Sequence, residues 1–189
     1  FSYVQSIEFD FTPLVDPMIR FQINHDIETN DDGSTFQVST DGGTAWSTLG
    51  STSSTAPWFN SSAITSFNLL NSTHGWTGSS SGWSDMRHSL ASYSSDTAVL
   101  FRFLISADGA ATEEGFAFDD IIIAESDDVA LTELFFVDSV CGTTASTVEA
   151  RICNISIEEK YGFDVILDTN GTSITTSYSD TLPICGCDT

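Results

Sequence analysis

The feature that most limits the fold is a two-residue alternation of apolar and polar side chains. Residues 19–24 read Ile-Arg-Phe-Gln-Ile-Asn, residues 7–11 read Ile-Glu-Phe-Asp-Phe, and residues 97–106 form the clearest such segment. Alternation places one set of side chains on each face of a β-strand. Because this pattern recurs at short intervals and helical spacing is almost absent, the sequence predicts an all-β fold.

Turn signals separate several of these segments. Residues 41–43 (Asp-Gly-Gly) follow a strand that begins at Phe36, and residues 168–171 (Asp-Thr-Asn-Gly) lie between two later strands. Residues of these types adopt the positive φ that tight hairpin turns require. The sequence therefore predicts antiparallel hairpins at both places.

An acidic run at residues 125–128 (Glu-Ser-Asp-Asp) interrupts the pattern before a new series of strands begins. We therefore predict two domains, residues 1–126 and residues 127–189. The second has only about 60 residues, whereas an Ig-like sandwich takes roughly 100. It is either a truncated sandwich or one that needs a strand from elsewhere.

The net charge of the chain limits the classes of partner that it can bind. There are 27 acidic residues against 5 basic ones, which gives a formal net charge of −22. Such a surface repels nucleic acid phosphates and anionic lipid, and no stretch approaches the roughly 18 apolar residues of a membrane helix. We expect neither nucleic acid binding nor membrane insertion. The charge suits bound divalent cations or the solvated surface of a salt-tolerant protein.

All four cysteines lie in the last third of the sequence, at Cys141, Cys153, Cys185 and Cys187. An even number in an acidic, Ser/Thr-rich β-chain predicts disulfides and an extracellular or cell-surface location. Four cysteines allow three pairings, and the sequence leaves these open. Zinc is the rival interpretation, but Cys185-Gly-Cys187 lacks the usual two-residue spacer and has no histidine nearby.

Four motifs of the first domain occur together in a known family. They are the hairpin at 39–46 (Ser-Thr-Asp-Gly-Gly-Thr-Ala-Trp), Trp83 before residues 90–93 (Leu-Ala-Ser-Tyr), the strand at 99–105, and residues 115–121 (Gly-Phe-Ala-Phe-Asp-Asp-Ile). With them, residues 5–124 resemble the MAM-like or LamG-like modules of secreted Bacteroidetes proteins. The resemblance implies a jelly-roll β-sandwich.

The second domain carries a weaker pattern, with Cys141 before a strand at 148–152 (Val-Glu-Ala-Arg-Ile) and then Asn154. Residues 130–182 resemble a CARDB-type module, which implies a short Ig-like β-sandwich after the jelly roll. In these families such modules serve as stalks, spacers or carbohydrate-contact domains of surface adhesins and secreted multidomain enzymes.

Glycosylation signals are also present. The O-glycosylation triplet of that phylum, Asp-(Ser/Thr)-aliphatic, occurs at Thr97, Ser139 and Thr181. Asparagine sequons occur at Asn60, Asn71, Asn154 and Asn170.

Residues 28–33 carry a candidate calcium loop. Glu28, Asn30 and Asp32 place side-chain oxygens at alternate positions before a glycine, as in the first half of a calcium-binding loop. The twelfth position is Ser39 rather than glutamate, so a complete EF-hand is not expected. We predict instead a structural Ca²⁺ site shared between loops of the jelly roll.

Asp119 and Asp120 are the other candidate ligands for this site. Strand alternation would place Asp120 on the same side as Phe116 and Phe118. A carboxylate on a core face needs a cation or hydrogen-bond donors. The alternative is that Asp120 accepts backbone N–H groups at a strand end.

The tryptophans of the Ser/Gly-rich segment 71–84 have two interpretations. Trp76 and Trp83 either offer exposed rings that stack on sugars or pin the segment onto the sandwich. A catalytic site is not expected. Residues 78–82 (Gly-Ser-Ser-Ser-Gly) match G-x-S-x-G, but no helix signal follows and no nucleophile, base and orienting group line up.

These patterns together predict a non-catalytic extracellular structural or adhesive module of a surface adhesin or filament. Its partners would be other subunits or neighbouring domains, joined by strand complementation through a segment such as residues 4–11 of another subunit. The alternative is a carbohydrate-binding accessory module of a secreted multidomain enzyme, with glycans as partners.

Overall fold

The structure is a computed structural model, and it describes residues 1–54, 57–69, 72, 74–110, 113–136, 148–169 and 171–189. The described chain consists of β-strands and connecting segments, with short 3-10 helices at Thr65–Leu69 and Ala91–Tyr93. Its strands pair into antiparallel sheets. The prediction of an all-β fold is therefore confirmed.

The chain divides into two compact units, Phe1–Ile123 (unit 1) and Ala124–Thr189 (unit 2). The first eight strands are β1 (Ser2–Gln5), β2 (Pro17–Ile27), β3 (Gly33–Ser39), β4 (Ser47–Thr48), β5 (Gly78–Ser79), β6 (Ser84–Ser89), β7 (Leu100–Ser106) and β8 (Gly115–Glu125). They form two four-stranded sheets. One has the order β1-β7-β3-β4, and the other has the order β5-β2-β6 with β8 also paired to β2.

The core of unit 1 is aromatic. Every second residue of β2 is buried, as its sequence alternation predicts, and Phe21 is completely inaccessible. The Phe21 ring lies 5.0 Å from the ring of Phe103, which in turn lies 4.6 Å from that of Phe36. Edge-to-face and tilted contacts of this kind add to the free energy gained by burial. Unit 1 therefore has a dense aromatic core that packs its two sheets together.

The hairpin predicted at residues 41–43 is confirmed. β3 and β4 pair antiparallel around it, and Gly42 and Gly43 adopt φ values of 71° and 88°. The Asp41 carboxylate accepts the backbone N–H of Ala45 and the hydroxyl of Ser39. These hydrogen bonds lower the pKa of Asp41 and hold the turn closed.

Unit 2 contains β9 (Val129–Phe136), β10 (Val148–Asn154), β11 (Phe163–Thr169), β12 (Thr172–Tyr178) and β13 (Cys187–Asp188). One sheet has the order β13-β10-β9, and β11 and β12 form a separate two-stranded sheet. Thr169 pairs with Thr172, so the hairpin predicted at residues 168–171 is also confirmed.

A buried asparagine and a disulfide beside it connect the segments of unit 2. Asn154 is 1% exposed, and its side-chain amide donates to the carbonyls of Glu158 (2.7 Å) and Leu182 (3.0 Å). Its oxygen accepts the backbone N–H of Ser156 at 2.9 Å. The preceding residue on β10, Cys153, forms a disulfide with Cys187 of β13. Two adjacent residues thus connect β10 to β13 and to the segments at Glu158 and Leu182.

Candidate functional site

Three carboxylates converge at one end of unit 1. The ligand oxygens of Glu28, Asp32 and Asp108 lie within 4.8 Å of one another. Glu28 directly follows β2, Asp32 directly precedes β3, and Asp108 follows β7. Because Gly33 pairs with Ser106, the two loops meet at the same edge of the sheet. We call these three residues the carboxylate cluster.

Backbone hydrogen bonds fix the loop that carries two members of the cluster. The Thr77 hydroxyl accepts the N–H of Asn30 (2.8 Å) and lies 2.8 Å from the carbonyl oxygen of Asp32. The N–H of Asp108 donates to the Asp32 carboxylate at 2.8 Å, which joins the two loops. The carboxylates are therefore held close together even though their charges repel.

The electrostatics of the cluster favour a cation. Partial burial, followed by the negative charges of Asp108, Asp31, Asp32 and Glu113, raises the pKa of Glu28. Its Oε2 atom is buried and has no hydrogen-bond partner among the described residues. A hard cation such as Ca²⁺ takes six to eight oxygen ligands, and three carboxylates in this arrangement supply a suitable donor set.

The cluster overlaps with the predicted calcium loop. Glu28 and Asp32 come together as proposed, while Asn30 lies between them with a positive φ of 67° and its N–H bound to Thr77. Sequence reasoning missed Asp108. The sequence shows that Asp108 follows the clearest strand of the chain, β7. It does not show that β7 pairs with β3, which brings Asp108 next to Asp32.

Asp119 and Asp120 lie elsewhere, on β8. Asp120 is exposed and adopts a φ of 53°, and its N–H donates to the Asp119 carboxylate at 2.8 Å. The expectation that Asp120 faces the core with Phe116 and Phe118 is therefore wrong, because the positive φ breaks the strand alternation. The carboxylate cluster contains neither aspartate.

Trp76 and Trp83, the two rings considered for stacking on sugars, have different environments. Trp76 is 1% exposed; its indole N–H donates to the Trp58 carbonyl at 3.1 Å and its ring lies 4.6 Å from that of Phe59. Of the two interpretations of Trp76, an exposed ring that stacks on sugars is wrong, and a ring that pins its segment onto the sandwich is confirmed. Trp83 is 54% exposed.

An apolar groove lies within unit 2. It encloses about 520 Å³ between the two sheets of the unit. Its apolar lining includes Leu131, Leu134, Ile152, Val165, Leu167 and Ile174. Leu131 and Ile174 are each 56% exposed, although a complete sandwich would bury side chains between its sheets.

The predicted disulfide and glycosylation sites differ in exposure and in bonding. Of the described cysteines, Cys153 pairs with Cys187 and Cys185 is exposed without a disulfide partner. Cys141, Asn71, Asn170 and Ser139 lie outside the described residues. Asn60, Thr97 and Thr181 are exposed. The structure contradicts Asn154 as a glycosylation site, because its amide nitrogen is buried and already bonded.

No helical segment in the described part of the chain is long and apolar enough to span a membrane. Comparison with protein-family models gives no match, and none of the curated proteins compared with the chain matches it.

Proposed function

We propose that the chain is a non-catalytic extracellular module of a surface adhesin or filament, which assembles by accepting a β-strand of a second copy. The groove of unit 2 carries this proposal. Two facing sheets with exposed apolar side chains are what a sandwich lacking a strand presents. The two units would then be a MAM- or LamG-like jelly roll and a shortened Ig-like module.

The first seven residues of a second copy are the proposed occupant. They read Phe-Ser-Tyr-Val-Gln-Ser-Ile and contain no charged side chain. Residues 124–189 contain 12 acidic and 2 basic side chains, so a strand with acidic side chains would be repelled. A neutral apolar strand enters without that penalty.

Residues 1–7 are also mostly exposed in their own unit. β1 is an edge strand that is exposed along its whole length and pairs with β7 at four positions. Ile7 is 78% exposed. By contrast, Phe11 is buried in the core of unit 1, so the donor segment ends before it. The proposed donor, residues 1–7, therefore differs from the segment of residues 4–11 expected from sequence.

Donation of this strand gives an open chain of subunits. Phe1, Tyr3 and Ile7 share one face by alternation and would fill the groove, while the backbone adds to a free sheet edge. A donor site and an acceptor site on different surfaces make a head-to-tail contact that propagates. In this proposal Ca²⁺ at the carboxylate cluster stiffens the end of unit 1.

Assembly of the purified chain tests the proposal. We expect filaments by electron microscopy and a monomer when residues 1–7 are deleted. The deleted protein should bind a synthetic peptide of residues 1–7, and Ile174→Asp within the groove should abolish that binding. Tyr161→Ser, an exposed change in unit 2 outside the groove lining, is the matched control. Filaments that persist without residues 1–7, or a wild-type chain that stays monomeric, would refute the proposal.

A further inference from the structure

Arg102 of β7 lies in a polar and aromatic cluster on one face of the sheet β1-β7-β3-β4. It is paired with Gln5 of β1 on one side and with Gln37 of β3 on the other, and directly paired residues share a face. Its Nε–H and an Nη2–H donate to Oε1 of Gln37 at 2.8 Å and 2.6 Å. Because Gln37 is only 2% exposed, these two hydrogen bonds fix the plane of the guanidinium group.

Two aromatic rings contact this guanidinium group. Its central carbon, Cζ, lies 4.1 Å from the ring centre of Trp46 and 5.4 Å from that of Tyr3, within the roughly 6 Å over which a ring face attracts a cation. Trp46 is held by its own turn, because its indole N–H donates to the Gly43 carbonyl at 3.0 Å. Tyr3, by contrast, belongs to β1. Arg102 therefore connects the edge strand to a fixed part of unit 1.

The contacts of Arg102 differ from those of the other basic residues. The chain has 5 lysines and arginines against 27 acidic residues. Four of the five have a carboxylate oxygen within 3.6 Å, namely Arg20, Arg87, Arg151 and Lys160. Among the described residues Arg102 has no such ion pair, and it contacts an amide and two rings instead. Its charge thus attracts rings, one of which belongs to the donor strand.

The other face of β1 covers part of an apolar cleft. Val4 lies opposite Phe103 of β7, and both line a cleft of about 130 Å³ together with Ile105, Phe116 and Phe118. When β1 leaves, this apolar surface and the backbone edge of β7 become exposed to water, and both changes oppose its release.

The chain keeps a released β1 beside its seat on β7. Phe11 is buried in the core of unit 1, and Phe9 exchanges two backbone hydrogen bonds of 2.9 Å with Val99. A tethered strand rebinds at an effective concentration on the order of millimolar, so a few contacts suffice to hold it. A free peptide of residues 1–7 lacks this advantage at the vacated seat.

We propose that β1 seated on β7 is a closed, self-inhibited state of the chain, and that the contact of Tyr3 with Arg102 latches it. This inference rests on the proposed function, in which residues 1–7 are the donor strand. One strand cannot pair with β7 of its own unit and fill the groove of a second copy at once, so Tyr3 leaves Arg102 before two copies join. The fraction of chains with an open latch then limits assembly.

Hydrogen exchange of β1 in a monomer tests the latch. Ile174→Asp keeps the chain monomeric, and mass spectrometry follows deuterium uptake by the backbone amides of residues 2–6. Loss of the cation–π contact should speed opening by about two- to fivefold, both in Arg102→Gln and in Tyr3→Leu, which keeps an apolar side chain. The double variant should open no faster than Arg102→Gln alone, because both changes remove the same contact. Arg151→Gln, in unit 2, is the control and should exchange like its parent.

Filament growth without the Ile174→Asp change tests the competition. Arg102→Gln should raise the initial rate by about two- to fivefold, and Arg151→Gln should leave it unchanged. The latch is overturned if Arg102→Gln and Tyr3→Leu both exchange at the parent rate. The competition is overturned if β1 opens faster while filaments grow at the wild-type rate. A chain that forms no filaments refutes the proposed function, whereas the exchange rates decide the latch separately.

Discussion

Unit 1 and unit 2 are built from the same kind of strand but are stabilised differently. Unit 1 buries a continuous set of aromatic rings, among them Phe21, Phe36 and Trp76. In unit 2 the buried apolar residues among those described are Ile152, Ile157 and Leu182. A small unit with so little buried apolar surface needs a covalent link or a partner. The comparison indicates that unit 1 is stabilised by its own core, whereas unit 2 depends on its disulfide and, in the proposal above, on a strand from a second copy.

The largest expected effect is in the core of unit 1. Trp76→Ala removes a fully buried ring and its hydrogen bond to Trp58, and it should lower the free energy of unfolding by about 3–5 kcal/mol. Chemical denaturation followed by tryptophan fluorescence measures this. Trp83→Ala is the matched control and should change stability by less than about 0.5 kcal/mol, because its ring is mostly exposed. Equal losses in the two variants would show that unit 1 does not depend on this core.

The disulfide of unit 2 gives the next largest effect. Cys153 and Cys187 are separated by 34 positions, and removing a cross-link over such a loop costs about 2–4 kcal/mol. The double variant Cys153→Ser/Cys187→Ser should therefore lower the thermal midpoint of unit 2 in calorimetry. The unit 1 transition serves as the internal control and should not move. An unchanged unit 2 transition would mean that its sheets hold together without the link.

Local pattern accounts for what could be predicted from sequence. The strands and both hairpin turns are encoded by neighbouring residues, as in β2 and at Gly42 and Gly43. The disulfide pairing was not predictable, because it depends on the packing of β13 against β10, which pairs Cys153 with Cys187.

Trp76 shows why context can override composition. Its Ser/Gly-rich surroundings resemble an exposed loop, yet its backbone exchanges hydrogen bonds with Ser34, which draws the ring into the core. The carboxylate cluster likewise depends on contacts between segments that are distant in sequence. Glu28 and Asp32 are close in sequence, but Asp108 joins them only through the pairing of β3 with β7.

Calcium should stabilise unit 1 and leave unit 2 unchanged. A ligand present at 100 times its Kd adds about 2.7 kcal/mol, which corresponds to about 10 °C in the thermal midpoint of unit 1. Calorimetry with Ca²⁺ and with a chelator measures the shift. Asp108→Asn should abolish most of it, whereas the control Asp119→Asn, outside the cluster, should preserve it. A calcium response that survives Asp108→Asn would place the ion elsewhere.

The smallest expected effect is the pH dependence that Glu28 contributes. Burial and neighbouring carboxylates raise its pKa in the folded chain, so without calcium the folded state binds this proton more tightly than the unfolded state. Stability from this group is therefore complete below the unfolded pKa and is lost as pH rises through the raised folded pKa. Glu28→Gln should remove that loss in chelator, which thermal midpoints measured from acidic to neutral pH would detect.

Calcium should reverse the order of stability expected for the wild type and the Glu28→Gln variant. At neutral pH the wild type gains the energy of binding through its ionised carboxylate, whereas Glu28→Gln loses a ligand and should become the less stable of the two. Glu159→Gln, an exposed change in unit 2, should follow the wild type in both conditions. If Glu28→Gln were less stable than the wild type in chelator as well, the repulsion inferred within the cluster would be absent. The loop would then be held by hydrogen bonds rather than prepared for a cation.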